Sequence, residues 1–158
     1  MIQRRRKHLL AKYSHLSFFS QWSEEDLVRL DRTATELEFE PGEIVSRDVM
    51  SGQEFVVLVV GHAVVNGGPT HGVAVNAGDH LGELAMFSDA SDKAVLIADS
   101  YCRALVLSAA DFRSLLHTTP SFGRVLSSAM AKTLAPIIHG ATLPTQRVAV
   151  ASIGRTRL

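Results

Sequence analysis

The chain has 158 residues, about one domain's length, and its 46% apolar and 20% charged composition excludes intrinsic disorder, collagen and a disulfide scaffold. A chain of this size buries roughly two-thirds of its unfolded surface, enough for a core without metal or disulfide staples. The formal net charge is zero, but it conceals a segregation: residues 1–23 hold five basic residues and no acid, and residues 112–158 hold six basic residues and no acid. All sixteen acids lie between Glu24 and Asp111, beside five basic residues (Arg29, Arg32, Arg47, Lys93, Arg103), so the chain reads +5, −11 and +6. One cysteine, Cys102, makes neither an internal disulfide nor a multi-cysteine zinc site, which fits a reducing cytoplasm. Arg4, Arg5, Arg6 and Lys7 are followed by His8 and Lys12 rather than an apolar run, so no secretory signal is expected.

In chain order, Ser23-Glu24-Glu25-Asp26 has the spacing of a capping box, with Ser23 satisfying a free backbone N–H and Asp26 reciprocating. The helix it opens carries Leu27 and Leu30 and ends near Thr33. Leu37 and Phe39 then alternate with Glu36, Glu38 and Glu40, the period of a half-buried strand. After the Pro41-Gly42 turn, Ile44-Val45, Phe55–Val60, Ala63–Val65 and Val73–Val75 are strand-like runs rich in β-branched residues. The uncharged stretch from Phe55 to Gly78 is long enough to span a bilayer, but Gly61, Asn66, Gly67, Gly68 and Pro69 break it into strands and turns.

Good helix formers take over at Gly82–Phe87, a polar loop runs from Ser88 to Asp92, and strands return at Ala94–Ala98 and Ala104–Leu107. Ser108 and Asp111 repeat the capping pair before a helix with Phe112, Leu115 and Leu116. Pro120 starts a longer helix whose stripe is Leu126, Met130, Leu134 and Ile138. The stripe reads as core plus a dimer seam. Residues 1–15 read as a basic N-terminal segment, 16–139 as the domain, and 140–158 as a tail; nineteen residues are too few for a three-helix DNA-reading unit.

Chemistry concentrates in Ala77-Gly78-Asp79-His80-Leu81-Gly82-Glu83-Leu84-Ala85. A strand ends, glycine permits close backbone approach, and a helix begins, presenting N–H groups to an anion. Glu83 reads in two ways, as a helix-start carboxylate favoured by the dipole or as an acceptor for sugar hydroxyls. Lys93 is the nearest following cation, or else a solvated loop charge. His62, His71 and His80 recur every nine residues, but they offer no alternating pair with a carboxylate, so no metal is expected. Cys102 reads as an inert packed thiol.

The stretch from Pro41-Gly42-Glu43-Ile44-Val45 through Glu54-Phe55-Val56-Val57-Leu58-Val59-Val60-Gly61, together with Ala77–Ala85, resembles the cyclic-nucleotide-binding domain. This is the family of catabolite-activator regulators, regulatory subunits of the cyclic-AMP-dependent kinase and nucleotide-gated channels. The resemblance covers roughly residues 16–138. It implies a mainly β fold with flanking helices: an eight-stranded antiparallel β-roll of the double-stranded β-helix or jelly-roll type, with N-terminal helices and a C-terminal helical pair. By the same resemblance the Glu83 carboxylate takes the ribose hydroxyl, and the backbone amides of Gly82, Leu84 and Ala85 take the cyclic phosphate.

Two departures accompany the match. Where the family places an arginine and then a serine or threonine, this chain has Lys93 and Ala94. That alignment takes the longer of the family's two loop lengths; the shorter sets Asp92 against the phosphate. Lysine offers a point charge in place of a planar fork, and Ala94 offers no hydroxyl. Together these losses weaken binding by about 2–4 kcal/mol, or ~30- to 1000-fold. The base-facing part of the long helix becomes Ala135-Pro136-Ile137-Ile138, where proline ends or kinks the helix and isoleucine cannot hydrogen-bond a base.

The expectation is a stand-alone, non-enzymatic regulatory sensor domain without a cofactor. It would bind cAMP, cGMP or a related cyclic nucleotide through residues 82–94 and signal by helix movement. Expected partners are a second copy, joined through the long C-terminal helix, and a further protein, with no DNA-binding unit and no membrane span. The alternative is a degenerate β-roll that binds no nucleotide and serves dimerisation or protein interaction.

Overall fold

The computed structural model describes residues 9–86, 93–128 and 153–154. The strands are β1 (Thr35–Phe39), β2 (Ile44–Ser46), β3 (Glu54–Val60), β4 (His62–Asn66), β5 (Ala74–Asn76), β6 (His80–Leu81), β7 (Val95–Ala98), β8 (Cys102–Ser108) and β9 (Ile153–Gly154). They make two antiparallel sheets, ordered β1-β8-β3-β6-β9 and β2-β7-β4-β5. The eight strands β1–β8 are the roll that the family resemblance implies. β9 comes from the segment read as a tail, and it adds an edge strand beside β6 through His80↔Gly154 and Leu81↔Ile153.

The central strands β3 and β8 are buried on both faces, which is why they read as continuous apolar runs rather than alternating ones. Val56 and Leu58 of β3, with Ala104 and Cys102 of β8, point between the sheets, where they meet Val45, Val65, Leu81, Ala94 and Leu96. Phe55, Val57 and Val59, with Leu105 and Leu107, point the other way, onto a helical layer. That layer comprises helical residues 9–13, the helix Glu24–Thr33, the helix Ala109–Thr118 and helical residues 120–128.

Aromatic rings dominate the contact between sheet and helices. Phe55 lies 5.0 Å from Phe112 and 5.6 Å from Phe122, and Phe18 joins Trp22 and Phe122 at 5.9 and 6.2 Å. Truncating any one of these buried rings to alanine removes about 3–5 kcal/mol. Both predicted helix starts are capped: Ser23 Oγ accepts from Asp26 N and Ser108 Oγ from Asp111 N, each at 3.1 Å.

Two sequence readings need correction. The Asp26 carboxylate, expected to complete a capping box, instead accepts from Arg29 and from Ser121 Oγ. A buried acid is better satisfied by those two donors than by an N–H already facing water, and the bond to Ser121 ties the helix Glu24–Thr33 to residues 120–128. Leu37 is 41% exposed while Glu36 is half-buried, because Lys12 and Arg103 draw Glu36 under the helical residues 9–13. Leu126 packs fully into the helical core. Met130, Leu134, Pro136 and Ile138 lie outside the described residues, as do Arg4–Lys7 and Asp92.

Candidate ligand-binding site

β6 delivers the segment of interest. Its pairing with β3 sets Val57 opposite His80 and Val56 opposite Leu81. The ladder is extended by Gly78 N donating to Leu58 O at 2.7 Å and Leu58 N donating to Asp79 O at 3.0 Å. Asp79 Oδ2 accepts from Asn76 N at 2.8 Å and closes the turn before the strand.

Directly after β6 the chain bends at Gly82, where φ is +115° and a Cβ would stand 2.3 Å from Glu54 O. No side chain fits there. Glycine lets the backbone pass against β3 and start the four-residue helix Glu83–Met86, which holds Leu84 and Ala85.

Glu83 is buried, 2% exposed, and it meets an equally buried histidine: His80 Nδ1 stands 3.1 Å from Glu83 Oε2. That is ion-pair distance, but the two groups are not aligned as a hydrogen bond. Both ring nitrogens of His80 and Glu83 Oε2 therefore lack a hydrogen-bond partner among the described residues. The His80 ring is enclosed by Phe18 at 4.9 Å and Phe55 at 5.7 Å. Buried polar atoms are rarely left so, and Glu83 Oε2 has the His80 ring as its nearest polar neighbour.

The other half of the predicted site is built differently. Lys93 is exposed and makes no ion pair or hydrogen bond among the described residues. Ala94 is fully buried in the core between the sheets, near Leu96 and Val65, and so acts as packing. The structure thus brings Gly82, Glu83, Leu84 and Ala85 together on one bend and one helical turn, and leaves Lys93 at the surface with Ala94 beneath it.

The three histidines do not converge. His62 is exposed with Nδ1 3.0 Å from Asn76 Oδ1, His71 Nδ1 accepts from Gly67 N at 2.9 Å, and His80 is buried beside Glu83. Among the described residues no group of histidine, cysteine, aspartate and glutamate could hold a metal ion. Cys102 is buried at the start of β8 and donates from Sγ to His62 O at 3.0 Å. No helix among the described residues is long and apolar enough to cross a membrane. Sequence reasoning missed His80 as the neighbour of Glu83. The three-residue spacing was visible, but only the bend at Gly82 turns a strand residue and a helix residue toward each other.

A family model for the cyclic nucleotide-binding domain matches residues 36–119, more than half of the chain. No curated protein sequence matches. Among solved structures, cAMP-bound PfPKA-R (141–441) superposes with a TM-score of 0.64 at 21% identity, covering 94% of this chain and 51% of that one. The regulatory subunit of a cAMP-independent protein kinase A from Trypanosoma brucei gives 0.64 at 21%, covering 85% of this chain and 47% of that one. The sensor domain of the transcriptional regulator DNR from Pseudomonas aeruginosa gives 0.64 at 19%, covering 90% and 97%. The chain spans about half the length of the two kinase regulatory structures and nearly all of the sensor domain. At these identities the likeness shows the fold.

Proposed function

The chain belongs to the cyclic nucleotide-binding domain family, and from that premise we propose that it is a regulatory sensor module taking cAMP, cGMP or a related cyclic nucleotide on residues 82–94. The observation that carries this reading is Glu83. It is buried at the bend that Gly82 makes possible, with Oε2 turned toward His80, so the carboxylate's remaining lone pairs are the acceptors for a ribose hydroxyl. The Gly82, Leu84 and Ala85 amides take the cyclic phosphate, and Lys93 adds a single point charge from the surface. The module catalyses no reaction: its family is one of ligand-binding regulators, and its output is a shift in helix population. Phe55 and Phe122, packed across the interface between roll and helices, offer the route for that shift. The proposal sets the protein in the cytoplasm as a homodimer joined through the helix that Pro120 begins, handing its signal to a protein partner.

Calorimetric titration with cyclic AMP and cyclic GMP tests the reading, using the unaltered chain, Glu83→Ala and Lys93→Ala. Saturable heat that Glu83→Ala abolishes and Lys93→Ala weakens is the expected result. Absence of heat at millimolar ligand sinks the sensor reading. It would favour instead a roll that serves only interaction, for which the wholly packed Ala94 is the supporting observation.

A further inference from the structure

We propose that His80 is a positioning residue, holding the Glu83 carboxylate from beneath and tying it to the helical layer through Phe18. This rests on the reading of Glu83 as the ligand's hydroxyl acceptor. Three observations meet at one ring. His80 is completely buried, its Nδ1 is 3.1 Å from Glu83 Oε2, and its ring centroid lies 4.9 Å from that of Phe18 and 5.7 Å from that of Phe55.

An imidazole makes a poor filler for that space. Its volume suits the aromatic cluster, but both nitrogens lack hydrogen-bond partners among the described residues, so the fold gains less from it than from an apolar ring of similar size. The polar edge therefore does something packing alone does not require. With its proton on Nδ1, His80 needs only a small rotation to donate to Glu83 and fix the carboxylate's orientation, leaving the other lone pairs for a sugar hydroxyl.

The placement also gives the ring a mechanical role. Phe18 belongs to the short helical turn Ser17–Phe19 and packs on Trp22 and Phe122, so a change at Glu83 reaches residues 120–128 of the helical layer through one side chain. His80 sits in β6, which is hydrogen-bonded on both edges, to β3 and to β9, so its backbone is held while its ring responds.

The test uses the full chain with cyclic AMP as the probe. His80→Phe keeps the ring and removes the donor; His80→Asn returns an N–H close to where Nδ1 stood. His80→Phe is expected to melt at or above the unaltered chain yet bind cyclic AMP about tenfold more weakly, with His80→Asn recovering part of the loss. In a Glu83→Gln background His80→Phe is expected to add nothing further, the signature of two residues acting as one. Unchanged affinity in His80→Phe overturns the proposal.

Nitrogen-15 spectra of the imidazole in the ligand-free chain judge the pairing separately, whatever the chain binds. Glu83→Gln is expected to move the His80 Nδ1 resonance and leave Nε2 nearly in place; an unmoved Nδ1 overturns the pairing. If the unaltered chain binds neither cyclic AMP nor cyclic GMP while Nδ1 still responds, the sensor reading fails and the His80–Glu83 contact stands.

Discussion

The two halves of the candidate site are built by opposite rules. In the first half, residues 80–86, a buried acid and a buried histidine are held where the fold gains little from them, behind a glycine that no other residue can replace. In the second half, Lys93 lies in solvent and Ala94 is ordinary core. Side chains kept against the interest of packing mark the places where a fold has another task, whereas side chains that obey packing leave none to infer. The proposed function therefore assigns binding to the first half and leaves the second half to limit its strength.

The sharpest way to break the contrast is at Gly82. Gly82→Ala drives a Cβ to within 2.3 Å of Glu54 O at a positive φ, and should destabilise the fold by about 3 kcal/mol or more in urea denaturation. Gly42→Ala is the control. Its φ of +89° meets open space, so strain alone applies, about 1–2 kcal/mol. Equal losses at the two glycines would mean that Gly82 is a turn residue and nothing more.

Next comes Glu83→Gln, which removes the charge and keeps the shape. Cyclic-AMP affinity should fall by roughly 10- to 150-fold, as a charge-assisted hydrogen bond is lost, while the melting temperature holds or rises because a buried carboxylate has gone. A protein that loses stability and keeps affinity would reverse the assignment of the two halves.

Lys93→Arg addresses the weaker half. A fork in place of a point charge should tighten cyclic-AMP binding by about tenfold without changing stability, since the side chain is exposed. No gain would point to Asp92 as the residue facing the phosphate.

The smallest effect lies away from both halves. The Tyr13 phenol, 3.5 Å from Glu36 Oε2, is held above its ordinary range by burial first and by the Glu36 charge second. A group whose folded value is raised lends its full stability below its unfolded value of 10.0 and loses it progressively as the pH climbs beyond. Tyr13→Phe should flatten the alkaline decline in melting temperature and leave ligand affinity untouched.

Much of the fold was legible because its rules are local. The capping serines Ser23 and Ser108, the β-branched runs and the glycine-rich turns each announce themselves within a few residues. What stayed hidden depends on distant partners. Asp26 looked like half of a capping box because Ser121, ninety-five positions away, cannot be seen from residues 23–26. Leu37 looked inward because nothing local tells that Lys12 and Arg103 bring Glu36 under the helical layer. Within the candidate site, the bend at Gly82 and the helix start at Glu83 were readable from the motif. His80 was not, since its pairing with Glu83 needs the bend and its enclosure needs Phe18 and Phe55.

The central claim is that the first half of the site binds and the second half only limits affinity. Parallel calorimetric titrations of the unaltered chain and Glu83→Gln with cyclic AMP test it most directly. The account predicts a saturable, weak isotherm for the unaltered chain and one at least about tenfold weaker in the variant, with both proteins folded by thermal melting. Binding of equal strength in the two, or no binding to the unaltered chain at millimolar nucleotide, would contradict it.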